Sequence, residues 1–234
     1  MSDWMQKRFW KQASVADEAD GFAVELDSRR LRTPAKAAMI LPTREMATAV
    51  AQEWDAQEEQ INPLSMPVTR SANAAIDKVR HQHGEVADML ASYGDSDLLC
   101  YRAEGPTELA ERQALIWDPA LVWAAEALNV RLEPRVGIMH KPQNSESLAR
   151  LASHVHEMSP FQLAAFHDLV SMSGSLILAF GVIRNWRNAD EIWQVSRLDE
   201  LWQEEQWGPD DEAQATAEVK RQAFLHASRF YSVS

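Results

Sequence analysis

Residues 173–181 read Ser-Gly-Ser-Leu-Ile-Leu-Ala-Phe-Gly, and from Leu176 to Ile183 a helix would be apolar on nearly every side. Such a helix needs neighbours all round and therefore belongs at the centre of a bundle. The stretch falls far short of the roughly 20 residues that cross a bilayer, so it is read as core and not as a membrane span. Just upstream, Met158-Ser159-Pro160-Phe161-Gln162-Leu163 carries a full helix start. Ser159 is the N-cap, Pro160 takes the first helical position, Gln162 closes a capping box, and Met158 with Leu163 forms the staple. Asn188 caps a further helix with Asp190 and Glu191 in its first turn, and Gly208-Pro209 is a stop.

The N-terminal part has a different period. Phe22, Val24 and Leu26 alternate, and Asp27-Ser28-Arg29-Arg30 has turn composition before Leu31, which predicts a β-hairpin. Phe9–Val15 and Ala38–Leu41 offer further strands, for an antiparallel sheet of three or four members. After Pro42 the period changes: Thr43 can cap a helix in which Met46, Val50 and Trp54 share one face, so Trp54 is expected to be buried against the sheet. Pro63 and Pro67 bracket a short connection that marks a domain boundary. The expected fold is α+β, with a small antiparallel-sheet-plus-helix domain over 1–64 and a larger, mainly α-helical domain over 65–234. Within the latter, helices are expected over 69–81 and 85–93, flanking Gly84 as a cap. Two more, 107–117 and 119–128, are expected to be separated by the Asp118-Pro119 step, while 130–139 is ambiguous between helix and extended chain.

The 234 residues carry a net charge of -12, with pI near 5.0, which argues against phosphate backbones and anionic lipid as partners. No nucleic acid and no membrane insertion are expected. The acidity lies downstream: residues 1–44 hold eight basic and six acidic side chains, the remainder fifteen and twenty-nine. Cys100 is the sole cysteine, so no internal disulfide or cysteine-built zinc site can form, which fits a reducing compartment. The first residues lack the apolar core of a signal peptide and the pattern of a transit peptide, so a cytoplasmic protein is expected. Nine Trp residues are unusual, and a rich core explains them more simply than a binding surface does.

Candidate chemistry is sparse. His81 with His83, and His154 with His156, are two residues apart and diverge on a helix, unlike the four-residue spacing with which one face holds zinc. Asp95 and Asp97 open like a calcium loop, but Leu98-Leu99-Cys100 replaces the required oxygen ligands. Ser173-Gly174-Ser175 does not complete the nucleophile elbow, and neither a P-loop nor a dinucleotide fingerprint is present. Neither a cofactor nor a metal is expected. The alternative to a binding role is a hydrolase or transferase that uses Asp95, Asp97 or His140 in an interdomain cleft. Residues 189–212 hold nine carboxylates and one Arg, interleaved with Trp193, Trp202 and Trp207. A solvated helix face and a partner surface with aromatic anchors and steering charges both fit that pattern.

Several strings in order resemble the ATP synthase assembly chaperones that bind the α subunit of the catalytic head, the Atp-twelve family. They are Leu26-Asp27-Ser28-Arg29-Arg30-Leu31-Arg32-Thr33-Pro34, Glu53-Trp54, residues 66–77, residues 97–103, Arg112-Gln113 with Trp117-Asp118-Pro119, Ser173-Gly174-Ser175, and residues 200–208. Ser28 stands where the family's hairpin often has Gly, and Lys141-Pro142-Gln143 replaces a commoner Gln-Pro order. The resemblance implies a non-enzymatic protein, and a monomer is expected when the chain is free. It would hold the unassembled ATP synthase α subunit until the β subunit replaces it. It also implies client contact through Glu200, Gln203, Glu204 and Trp207, and points to relatives in the mitochondrial matrix.

Overall fold

The computed structural model describes residues 7–234 and has the α+β architecture expected. Four strands form the N-terminal sheet: β1 (Ala13–Glu18), β2 (Gly21–Leu26), β3 (Arg29–Arg30) and β4 (Ile40–Leu41). Central β2 pairs antiparallel with β1, Val24 opposite Val15, and its other edge takes β3 and β4. β1 begins later than the expected Phe9–Val15, because residues 8–10 are held elsewhere. Arg8 donates through its backbone to Glu59 and through its guanidinium to the Asp55 carbonyl, and Trp10 is buried beside Trp54. The β2–β3 turn puts its left-handed residue at Asp27, with φ 55°, and the Asp27 carboxylate accepts from the backbone N–H groups of Lys11 and Gln12. Ser28 therefore stands where no glycine is required.

α1 (Arg44–Asp55) starts as expected: Thr43 Oγ1 accepts from Met46 N at 3.2 Å. Met46, Ala47, Val50 and Ala51 are buried, and the helix lies on β1 and β2. Trp54 is half-buried, packed on the same core with its ring 5.1 Å from that of Trp10. α2 (Pro67–Asp77) has no capping side chain of its own. The Glu53 carboxylate of α1 supplies the acceptors instead, from Val68 N at 2.7 Å and Thr69 N at 2.8 Å.

This tie is one reason the first compact unit continues past the expected 64/65 boundary to His83. It also includes residues 159–165 and 229–234. Phe161, Ala165, Phe230 and Val233 are buried in one apolar cluster with Val24, Leu41, Met46 and Val50. A boundary drawn as a single cut in the sequence cannot represent that membership.

The second unit comprises residues 84–158 and 166–228. α3 (His83–Ala91) begins before Gly84, so that glycine lies in a first turn and is not a cap. β5 (Tyr101–Arg102) is followed by α4 (Thr107–Ala127), which runs unbroken through Pro119 instead of splitting there. The hydrogen bond lost at Pro119 would have gone to Leu115, an exposed residue, so the break falls on the solvent side. β6 (Arg135–Val136) pairs parallel with β5, within the segment whose pattern is ambiguous.

The remaining helices are α5 (Ser145–His156), α6 (Pro160–Ser173), α7 (Leu176–Ile183), α8 (Ala189–Ser196), α9 (Leu198–Trp207) and α10 (Asp211–Ser232). The capping box of α6 forms: Ser159 N donates to Gln162 Oε1 at 2.9 Å, and Gln162 N to Ser159 Oγ at 3.2 Å. Asn188 caps α8 by accepting from Glu191 N at 2.8 Å. Residues 176–182 of α7 are all buried, with α4 and α8 against it and Phe180 4.8 Å from Phe166. Among the described residues, no helix is long and apolar enough to cross a membrane.

Candidate functional site

Asp95, Asp97 and His140 are all engaged within the second unit. Asp97 is fully buried and accepts from Leu99 N and from Ile177 N, both at 3.1 Å. Burial pushes its pKa up to about 6, against the opposing pull of hydrogen bonds from the Ile177 backbone, the Ser175 side chain and the Leu99 and Leu176 backbones. The carboxylate thus fastens the chain before β5 to the start of α7. Leu98 N adds a bond to the Gly174 carbonyl at 3.1 Å, where Gly174 has φ 68°, and Ser175 Oγ caps α7 by accepting from Leu178 N. That is the work of Ser173-Gly174-Ser175.

Asp95 accepts from Gln143 N at 2.6 Å and lies 3.2 Å from His140 Nε2, whose Nδ1 is 3.2 Å from the Tyr101 hydroxyl. His156 pairs with Asp88 at 2.8 Å, and His154 sits edge-on to Phe180. Among the described residues, no group of three or more His, Cys, Asp or Glu side chains is placed to hold a metal. Burial, the largest cause, together with the neighbouring Asp97 charge pushes the Cys100 thiol up to about 12, which leaves it inert as a nucleophile.

The acidic, Trp-rich segment divides by burial. Trp193 is buried, 5.6 Å from Phe224; Trp202 is half-buried; Trp207 is 80% exposed. Glu200, Gln203, Glu204 and Trp207 follow one another at i, i+3, i+4 and i+7 on α9, and so share one helix face. Glu200 and Gln203 are exposed, whereas Glu204 is half-buried and 3.3 Å from Arg197.

Other side chains of α9 are fixed to α4. Arg112 makes two hydrogen bonds to Glu205, at 2.5 and 2.8 Å, and lies 5.8 Å from the Trp202 ring. The hydrogen bond from Arg112 holds the Glu205 carboxyl below its ordinary range. Buried Gln113 donates to Asp199 Oδ1 at 2.7 Å. After Gly208, with φ 89°, Asp210 caps α10 by accepting from Ala213 N. Arg197, Glu200, Asp210, Glu212, Thr216 and Lys220 line a polar cleft of about 440 Å³ there. The second unit holds eleven Lys or Arg against twenty-three Asp or Glu, so this face stands in a strongly negative field. The one-face spacing on α9 is readable from sequence; the bracing by Arg112 and Gln113, more than 80 residues away, is not.

The sequence profile described as ATP12 chaperone protein matches residues 7–125. The mitochondrial atp12 protein of Schizosaccharomyces pombe is 27% identical over 220 residues, covering 88% of this chain and 75% of that protein. Two solved structures of Atp12 from Paracoccus denitrificans are similar throughout. A point mutant is 44% identical, covers 99% of both chains and has a TM-score of 0.96. A second is 45% identical, with 97% coverage of both and a TM-score of 0.95.

Proposed function

The chain belongs to the ATP12 chaperone family, and from that premise we propose that it is an ATP synthase assembly chaperone that holds the unassembled α subunit of the catalytic head until the β subunit replaces it. Family membership is the observation that carries this reading. A subunit awaiting its partner exposes an apolar intersubunit face that aggregates unless covered. A chaperone for it needs a rigid surface that binds specifically and can be displaced.

The α9 face supports that role. Carboxylates at Glu200 and Glu204 attract a basic margin of the client, Gln203 supplies hydrogen bonding, and Trp207 offers an exposed aromatic anchor. The bonds from α4 leave little freedom to be lost on binding. In this reading the protein is a monomer when free, works without cofactor or catalysis, and resides in the cytoplasm.

Affinity capture after co-expression with the α and β subunits tests it. Selective retention of α, lost as β is added, is the expected result; retention of neither subunit would overturn the assignment.

A further inference from the structure

Three strongly exposed apolar side chains of the second unit lie on one short segment: Val136 at 72%, Ile138 at 90% and Met139 at 77%. The segment is held firmly. Gly137 N donates to the Arg102 carbonyl at 2.9 Å, and the Arg135 guanidinium donates to the carbonyls of Lys141 and Pro142. His140 is placed between Asp95 and Tyr101, and the Gln143 side chain clamps both the N–H and the carbonyl of Glu133, at 2.9 and 3.0 Å. Apolar side chains held out to water by so many bonds are already ordered for contact, so little conformational entropy remains to oppose binding.

The same framework carries α9. Gln113 of α4 accepts from Ala103 N, the residue after β5, at 2.8 Å, and donates to Asp199 in the first turn of α9. Five residues along α4, Asp118 pairs with Arg102 of β5 at 2.7 Å. The apolar tip that begins in β6 and the acidic face of α9 are thus mounted on neighbouring turns of one helix. The α9 face is mostly polar and offers a single large apolar group, too little to cover an apolar intersubunit surface. The tip supplies what that face lacks.

We propose that the Val136–Met139 tip is a second client-contact element, whose Ile138 and Met139 side chains insert into the apolar intersubunit face of the α subunit while α9 engages its basic margin. This rests on the chaperone reading above.

Two measurements test it. In the first, Ile138→Cys is labelled with acrylodan under native conditions, where buried Cys100 is protected, and is titrated with purified α subunit. A blue shift of the dye that saturates with binding is expected; an unchanged spectrum while α is retained overturns the proposal. In the second, the double variant Ile138→Ser, Met139→Ser is compared with wild type by capture of α. Removing two buried apolar contacts should weaken retention by about 10- to 100-fold with an unchanged unfolding midpoint. Retention within twofold of wild type, together with its loss in Glu200→Lys, Gln203→Lys, overturns the tip and leaves the chaperone reading standing. Failure of wild type to retain α overturns both. Concentration-dependent dimerisation of wild type that the serine variant abolishes assigns the tip to a second copy of this chain and equally overturns the proposal. Should the serine variant fail to fold, the dye titration decides.

Discussion

Replacing Asp97 with Asn should remove a pH dependence that the wild-type fold carries at its most buried carboxylate. Folded Asp97 holds its proton up to about pH 6, against an ordinary value of 3.8, because burial outweighs the hydrogen bonds it accepts. A raised carboxyl pKa means that the folded chain binds the proton more tightly than the unfolded one. The stabilising contribution is therefore fully present below pH 3.8 and is lost as pH rises through about 6. At about 1.4 kcal/mol per pH unit, the full effect is about 3 kcal/mol, of which roughly half falls between pH 5 and 8. Asn has nearly the same shape and does not titrate. Urea unfolding of both proteins, followed by tryptophan fluorescence at half-unit steps from pH 5 to 8, gives a stability difference in which the other titrating groups cancel. That difference should shift by about 1–2 kcal/mol in favour of the variant across the range and level off above about pH 6. A difference independent of pH would refute the raised pKa, and with it the idea that this carboxylate is kept at a net cost because it fixes the start of α7.

Other substitutions probe the site and its support. Glu200→Lys with Gln203→Lys, both at exposed positions, should reduce capture of the α subunit by at least about tenfold, by placing like charges against a basic margin, while the unfolding transition stays in place; unchanged capture removes this face from the proposed site. Gln113→Leu strips partners from Ala103 N and from Asp199 and should cost about 2–4 kcal/mol in urea unfolding, so a loss below 1 kcal/mol would show that the bridge is dispensable. Phe230→Ala should destabilise the sheet unit by about 3–5 kcal/mol, and hydrogen exchange of β2 amides should rise with it; protected amides would separate the C-terminus from that core. In Arg112→Ala, the Glu205 carboxyl should titrate in the ordinary range in carbon-detected NMR, whereas the wild-type group titrates below it.

Local signals were legible wherever the needed atoms lie within a few residues. The capping box at Ser159 and Gln162, the caps at Thr43 and Asn188 and the all-round burial of α7 follow from side chains acting on their own helix. Reading failed where a distant group changed the local balance. Phe9–Val15 looks like a strand, but Arg8 and Trp10 are held at the end of α1, so the ladder begins at Ala13. The Asp118-Pro119 step looks like a break, yet α4 continues because the missing bond faces solvent while Asp118 is used by Arg102. At the candidate site, the spacing of Glu200, Gln203, Glu204 and Trp207 was visible on a helical wheel, but what braces it was not. Ile138 and Met139 gave no warning either, since an apolar pair in an extended stretch is ordinarily interior.

By itself, then, the sequence determined the class of fold, the helix starts at Arg44, Pro160 and Ala189, the buried helix α7 and the uneven charge, because periodicity, capping and composition act over short distances, while the family showed in ordered strings of residues that resemble it. Only the tertiary structure decided that residues 159–165 and 229–234 complete the sheet's core, that Glu53 caps α2, that Trp193 turns inward while Trp207 stays out, and that Ile138 stands in water. Each of those outcomes depends on packing between segments far apart in the chain, where burial of a side chain is set by which surface arrives beside it and not by its immediate neighbours.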